Sequence, residues 1–162
     1  MAAPVESYNS GRSPRPLSPR PLSRDPYPRD LYRGVVRWLI DGNNVYGSRP
    51  DGWWNDRAAA SGRFAQQVAE WCRTHDDDVT LVFDAPVPES TLMLAGGNLS
   101  IVEAPRRGRD AADDYIVELA DADPATGDQK VTVVSSDKGL RSRLPGCVDA
   151  IGAGRFRELI GY

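Results

Sequence analysis

Histidine and cysteine are scarce in this chain. The 162 residues include one histidine and two cysteines. His75 lies at the end of the first predicted long helix and not at the acidic end of an apolar run, which argues against a histidine-dependent nuclease or a Ser-His-Asp hydrolase. Cys72 and Cys147 are isolated, with no CxxC pair and no histidine at metal-ligand spacing. We therefore expect two reduced core thiols, as in a cytoplasmic protein.

Long hydrophobic runs are also missing. The apolar stretches are only a few residues long, and the N-terminal residues lack the apolar centre of a secretory signal, so we expect no membrane partner. A P-loop is absent, which disfavours nucleoside triphosphate chemistry. No DxD follows the first apolar run, where "DGN" stands instead, and this disfavours a phosphatase acting on small phosphoesters.

Proline and charge are unevenly distributed along the chain. Residues 1–34 hold seven of the 13 prolines and six arginines against three acids, and they include the near-repeat "SPRPLSPRPLSR". Such a segment cannot support a helix or a central strand, so we expect residues 1–33 to be a disordered or extended arm. The arm is either a flexible tail or an element that contacts nucleic-acid phosphate or a partner. Residues 34–162 form the predicted folded domain.

The rest of the chain alternates between short apolar runs and amphipathic segments. This alternation predicts an α/β fold with three α/β/α layers and a central, mostly parallel sheet of four or five strands. The predicted strands are 35–40, 79–83, 99–103, 131–135 and 148–151, and the predicted helices are 57–73, 111–122, 138–144 and 155–159. Residues 41–56 are predicted to be a loop, and "PESTLMLAGG" at most one helical turn.

Three of the apolar runs end in an acidic residue. "VVRWLID" ends at Asp41, "VTLVFD" at Asp84 and "VTVVSSD" at Asp137, while Asp113 and Asp114 open the helix "ADDYIVELA". Ligands of open α/β sheets bind at the carboxyl ends of the strands, so these acids should converge there. Crowded carboxylates repel one another unless a cation lies between them. The pattern therefore predicts a site for Mg²⁺ or Mn²⁺, which prefer oxygen ligands.

The motif "DGNN" is the strongest local signal. Asp41 is a candidate metal ligand, Gly42 allows a sharp turn, and Asn43 or Asn44 can brace the loop or bind phosphate or ribose. An Asx turn that merely ends a strand is the alternative. For Asp113 and Asp114 the alternative is stabilisation of a helix N-terminus, and because adjacent helical residues diverge, only one is expected to bind a metal directly.

Residues around these acids are candidates for substrate contact. In "SSDKG", Asp137 is a candidate metal ligand, while Ser135, Ser136 and Lys138 could contact a phosphate. Asp84 is a weaker candidate ligand, because an aspartate commonly ends a strand before a turn. Arg106, Arg107 and Arg109 could bind a phosphate backbone or simply belong to a solvated loop. The Trp53–Trp54 pair could stack on bases, but packing over the first long helix is the preferred interpretation.

Four motifs taken together, "LIDGNNV", "LVFDA", "ADDYIVELA" and "VTVVSSD", resemble the NYN domains, a branch of the PIN-like ribonucleases related to flap endonucleases. The resemblance covers residues 35–160 and leaves out the arm. It implies a Mg²⁺- or Mn²⁺-dependent endoribonuclease whose catalytic residues are Asp41, Asn44, Asp113, Asp114 and Asp137. Asp84 is similar to the strand-ending acid of the flap nucleases. Where those enzymes carry a second acid two residues after Asp137, this chain has Gly139.

The sequence thus predicts hydrolysis of RNA phosphodiester bonds through a carboxylate-bound divalent ion. Asp41, Asp137 and one of Asp113 or Asp114 would hold the ion. The alternative is a non-catalytic RNA-binding module of the same fold, which would bind RNA through the arm and the "RRGR" segment.

Overall fold

The computed structural model describes residues 35–108, 110–122 and 129–162. Five β-strands form one sheet: β1 (Val36–Asp41), β2 (Asp78–Phe83), β3 (Leu99–Glu103), β4 (Lys130–Val134) and β5 (Asp149–Ile151). The helices are α1 (Gly42–Gly47), α2 (Arg57–Cys72), α3 (Glu89–Leu92), α4 (Ala111–Ala122), α5 (Lys138–Ser142) and α6 (Ala153–Ile160), with a short 3₁₀ helix at Trp53–Asn55.

The sheet is parallel throughout, with the strand order β3-β2-β1-β4-β5. At its centre, Ile40 of β1 lies opposite Leu81 of β2 on one side and Val134 of β4 on the other. Helices cover both faces, and the predicted three-layer α/β fold with a parallel sheet is confirmed. The chain runs from β1 to β2 and β3 on one side of β1 and then crosses to β4 and β5 on the other side. The topological switch point therefore lies between β1 and β4.

Alternation along each strand decides which face every side chain occupies. Trp38 and Ile40 of β1 pack with α2 and α6, whereas Leu39 packs with α4 on the other face. The same parity puts Val82 of β2 and Val133 of β4 on the α4 face. A residue two positions further along each strand points to the same face. The polar residues at those positions therefore lie on the α4 side, just beyond the carboxyl end of the sheet.

The long helices follow from simple sequence signals. The Asp56 carboxylate caps α2 by accepting a hydrogen bond from the Ala59 backbone N–H at 2.9 Å. The predicted apolar stripe of α2 is buried in the core: Phe64, Val68, Trp71 and Cys72. In α4, Ile116 and Ala120 are fully buried. The predicted bounds of β3 and α4 match the structure, and those of the other strands differ by a residue or two.

The segment after β1 differs from the prediction. Instead of an irregular loop, residues 42–47 form α1, with Val45 and Tyr46 buried beneath it. Gly42 is required for a different reason than the predicted turn. A Cβ atom at this position would lie 2.2 Å from the Phe83 ring, so the helix can approach β2 this closely only with glycine.

Three other predictions concern residues away from the sheet. Cys72 is buried as expected, but Cys147 is exposed in the turn before β5, so the prediction of two core thiols is wrong for Cys147. Trp53 packs against Tyr46 at 5.8 Å between ring centroids, whereas Trp54 is 56% exposed. The predicted arm, residues 1–33, lies outside the described residues.

In the described part of the chain, no helix is both long enough and apolar enough to span a membrane.

Candidate active site

Acidic and hydroxyl side chains meet at the carboxyl end of the sheet, around the switch point between β1 and β4. Asp41 ends β1, Asp84 follows β2 and Ser135 follows β4, and each has the strand parity of the α4 face. Asp113 and Asp114 approach from the first turn of α4. We call Asp41, Asp84, Asp113 and Asp137 the carboxylate cluster. A parallel sheet brings these residues together from distant parts of the chain.

Asp41 lies at the centre of the carboxylate cluster and is 4% exposed. One carboxylate oxygen accepts a hydrogen bond from the Asn44 backbone N–H at 3.0 Å and caps α1. The other oxygen accepts a hydrogen bond from the Ser135 hydroxyl at 3.1 Å. Burial, together with the negative charges of Asp113 and Asp84, raises the pKa of Asp41 from 3.8 to about 7. The two hydrogen bonds only partly oppose this effect.

Asp113 is the acid of α4 that faces Asp41. Their carboxyl groups lie within hydrogen-bonding reach of each other, so the pair can share a proton. Burial and the neighbouring charge of Asp137 raise the pKa of Asp113, while Arg143 and the contact with Asp41 oppose the rise. Two carboxyl groups this close to each other accumulate more negative charge than the site readily holds without a cation.

Asp114 points to a different neighbour. Its carboxylate accepts a hydrogen bond from the Arg143 guanidinium at 2.5 Å, just after α5. Both side chains are substantially exposed, at 45% and 41%. The expectation that adjacent acids on a helix diverge therefore fits this geometry: Asp113 faces Asp41, and Asp114 is paired with an arginine at the rim.

The Asp84 side chain links the end of β2 to the start of α4 by a hydrogen bond. Its carboxylate accepts a hydrogen bond from the backbone N–H of Ala112 at 3.0 Å, in the first turn of α4. The Asp84 N–H in turn donates to the side-chain oxygen of Asn43 at 2.9 Å. Asp110, directly before α4, adopts a left-handed conformation with φ 66°, and its carbonyl accepts a hydrogen bond from the Asp114 N–H at 2.9 Å. A carboxylate from a neighbouring strand thus stabilises the start of α4.

Asn44 and the serines after β4 brace the switch point. The Asn44 side-chain oxygen accepts a hydrogen bond from the Ser136 N–H at 2.8 Å, and the Ser136 hydroxyl accepts one from the Ala153 N–H at 2.9 Å. Asp137 caps α5 through the Leu140 N–H at 2.8 Å. These bonds connect α1, the segment after β4, α5 and α6, so hydrogen bonds within the protein fix the loops that carry the acids.

The predicted basic contacts are spread more widely. Lys138 is exposed in the first turn of α5, directly after Asp137. Arg106 forms an ion pair with Glu118 of α4 at 2.6 Å, and Arg107 is exposed in the same loop. Arg109 lies outside the described residues. Lys138 directly follows Asp137 of the carboxylate cluster in the sequence. The Arg106 guanidinium, by contrast, is already paired with Glu118.

Ser135 has a role other than the predicted phosphate contact, and Arg143 was not predicted to belong to the site. Ser135 is fully buried, and its hydroxyl donates to Asp41 and accepts from the Asp137 N–H at 3.1 Å. Its position in "VVSSD", two residues after a buried valine of the α4 face, could have identified it through strand parity. Arg143 had no such signal, because its approach to Asp114 depends on how α5 packs beside α4.

The donor set suits a hard divalent cation. Among the described residues, no three acidic, histidine or cysteine side chains already stand in a geometry that could hold a metal ion. The chemistry nevertheless fits, because Asp41 is buried among like charges that a cation would neutralise. Asp41 and Asp113 are the residues that would hold it, with Asp137 and Asp84 close enough to affect their charge.

No family model matches the sequence, and no curated protein matches it significantly. Solved structures do match the fold. Rae1 (YacP) from Bacillus subtilis superposes with a TM-score of 0.61 at 20% identity, covering 79% of this chain and 74% of that one. A mutant of the same protein gives a TM-score of 0.60 at 23% identity, with 78% and 77% covered. At these identities the likeness shows a shared fold and nothing more.

Proposed function

We propose that this chain is a Mg²⁺- or Mn²⁺-dependent endoribonuclease that hydrolyses RNA phosphodiester bonds at the carboxylate cluster. The observation that carries the proposal is the contact between the carboxyl groups of Asp41 and Asp113 at the switch point of a parallel sheet. The motifs that resemble NYN domains and the PIN-like fold support the same function. RNA is the proposed partner.

The chain's own residues would divide the work as follows. Asp41 and Asp113 hold the ion, while Ser135 and Asn44 fix the orientation of Asp41 and of the loop after β4. When bound, a divalent ion lowers the pKa of a water molecule and stabilises negative charge that develops on the phosphate. Lys138 lies at the rim and can offset phosphate charge.

Metal binding and cleavage should depend on pH. Because burial raises the pKa of Asp41 to about 7, the Asp41 carboxyl group is protonated at acidic pH, and the proton competes with the metal ion. Metal ions bind the deprotonated carboxylate, so affinity should rise with pH through this range. Cleavage at a fixed, subsaturating metal concentration should therefore increase between pH 6 and pH 8.

The test is cleavage of single-stranded RNA, with wild type, Asp113→Asn and Asp76→Asn compared in Mn²⁺ and in EDTA. Asp76 is exposed and precedes β2, so it lies at the amino ends of the strands, opposite the carboxylate cluster. It is therefore a matched control. We expect Mn²⁺-dependent cleavage by wild type and by the control, and a loss of several orders of magnitude in Asp113→Asn.

Two outcomes would contradict the proposal. Equal cleavage by wild type and Asp113→Asn would mean that a contaminating nuclease or another site is responsible. RNA binding without cleavage by the folded wild type, unchanged by Mn²⁺, would favour the alternative, a non-catalytic RNA-binding module.

A further inference from the structure

A cavity of about 450 Å³ opens next to the carboxylate cluster, on the side of the sheet covered by α1 and α2. Asn43 and Asp84 border it, and both belong to the network that positions α4. The cavity is of the size that small-molecule sites occupy in proteins. It adjoins the proposed reaction site and is not part of the contact between Asp41 and Asp113.

The lining combines apolar walls with a few polar groups. Phe83, Ala58 and the segment from Ala85 to Pro88 supply the apolar surface. The polar groups are the Tyr46 hydroxyl and the side chains of Ser61, Arg57, Asn43 and Asp84. A flat, apolar ring with hydrogen-bonding groups along its edge matches this combination.

The walls are held in place by hydrogen bonds. The Val87 N–H donates to the Glu103 carboxylate at 2.7 Å, which fixes the outer wall against β3. On the inner side, the Asn43 amide group donates to the Tyr46 hydroxyl at 3.1 Å, and this leaves the tyrosine's own hydrogen able to donate elsewhere. A cavity whose walls are fixed before binding loses little entropy when a ligand enters.

Arg57 gives the cavity a cationic edge. Its guanidinium lies over the Trp53 ring at 5.4 Å from the centroid, at the start of α2. Exposed Trp54 follows directly, and its ring lies 6.0 Å from that of Trp53. Arginine planes and tryptophan faces are the surfaces on which nucleobases stack, and arginine also binds phosphate.

We propose that this cavity binds one unpaired nucleobase of the RNA, that of a nucleotide next to the scissile phosphate. The inference rests on the proposed function, because the position of the carboxylate cluster identifies the ligand as part of an RNA chain. A base within a duplex is stacked on both sides and cannot enter a cavity, so the site selects single-stranded or bulged RNA. Tyr46, Ser61 and Asp84 would hydrogen-bond the base edge, and Arg57 would contact the adjoining backbone.

The test uses variants that alter the cavity without touching the carboxylate cluster. Ala58→Phe fills the cavity from an exposed position on α2, and Arg57→Gln removes the cationic edge. Ala95→Phe and Arg63→Gln are the matched controls, since both positions are exposed and neither lines the cavity. The substrates are a short single-stranded RNA, the same RNA with one abasic nucleotide at each position in turn, and its duplex.

We expect wild type to lose roughly 5- to 150-fold in binding or in kcat/KM when the base at one position beside the cleaved bond is removed, the range for stacking of a single base. Ala58→Phe should weaken binding of the intact RNA by a similar factor and abolish the sensitivity to the abasic position. Arg57→Gln should raise KM more than it lowers kcat. The duplex should be a poor substrate, and the controls should behave as wild type.

The inference is overturned if wild type cleaves RNA but tolerates an abasic nucleotide at every position, or if Ala58→Phe retains the sensitivity. Either result would leave the proposed function standing. If wild type does not cleave RNA at all, the proposed function fails, and the binding measurements still decide the cavity. Equal affinity for intact and abasic RNA would then refute the assignment of the cavity as a base-binding site.

Discussion

Replacing Asp41 with asparagine should stabilise the folded protein at neutral pH, although it removes the central residue of the candidate site. Asp41 is buried, and its pKa is raised from 3.8 to about 7, first by burial and then by the charges of Asp113 and Asp84. Asparagine has nearly the same shape and carries no charge. Its side-chain oxygen can still accept from the Asn44 N–H, so the cap of α1 is retained.

The size of the effect follows from the pKa of Asp41. Each pKa unit corresponds to about 1.4 kcal/mol, so ionised Asp41 costs the folded state at most about 4 kcal/mol relative to the unfolded chain. The amide nitrogen that replaces one carboxylate oxygen cannot accept from the Ser135 hydroxyl, and the loss of this hydrogen bond offsets about 1–2 kcal/mol of that gain. We expect Asp41→Asn to be more stable than wild type by about 2 kcal/mol at pH 8, or about 4–8 °C in Tm.

The raised pKa of Asp41 determines how the free energy of unfolding depends on pH. Between pH 4 and pH 7, folded wild type binds more protons than the unfolded chain, because its Asp41 stays protonated there. Its free energy of unfolding therefore falls as pH rises through this window and then levels off. Asp41→Asn lacks this contribution, so its advantage should be present at pH 8 and disappear near pH 4.5.

The assay is urea unfolding at pH 4.5, 6 and 8 in EDTA, with Asp76→Asn as the control for loss of a carboxylate. In Mn²⁺ the order at pH 8 should reverse, since only wild type can gain stability from the ion. If Asp41→Asn were destabilised by the same amount at all three pH values, Asp41 would be an ordinary capping residue, and the electrostatic argument for a cation site would fail.

Two further substitutions test the local geometry. Gly42→Ala should lower the free energy of unfolding by about 1–3 kcal/mol, measured in urea, because the new methyl group overlaps the Phe83 ring; an unchanged stability would show that α1 lies further from β2. Ser135→Ala should cost about 1–3 kcal/mol and weaken Mn²⁺ binding in calorimetry, because it leaves Asp41 and the Asp137 N–H without their hydroxyl partner; wild-type affinity would contradict the bracing role of Ser135.

The fold was predictable because its strands and long helices carry strong, independent signals. Continuous runs such as "VTLVF" indicate buried parallel strands, and the apolar stripe of α2 has helical spacing. Helix α1 was missed because a segment of six residues with two asparagines and two glycines has little helical propensity of its own. It forms because Asp41 caps it and because Val45 and Tyr46 are buried against the sheet.

The candidate site was predictable only in part, for a geometrical reason. Parallel strands bring their carboxyl ends together, so the convergence of Asp41, Asp84 and the segment after β4 could be inferred from the sequence. Which acid of α4 faces Asp41 depends on the rotation of that helix about its axis. Ala112, Ile116 and Ala120 fix this rotation by packing against the sheet. At about 100° per residue, Asp113 borders that buried face and Asp114 lies opposite it. The cavity beside Asp84 likewise depends on how α1 and α2 pack over β2.

The measurement that tests the central claim most directly is calorimetric titration of Mn²⁺ into wild type, Asp113→Asn and Asp76→Asn at pH 8, each with and without an uncleavable single-stranded RNA. The carboxylate cluster predicts saturable binding by wild type and by Asp76→Asn, tighter when RNA is present, and a loss of binding in Asp113→Asn. Equal binding by all three proteins, or no binding by any of them even with RNA, would contradict the assignment of Asp41 and Asp113 as a divalent cation site.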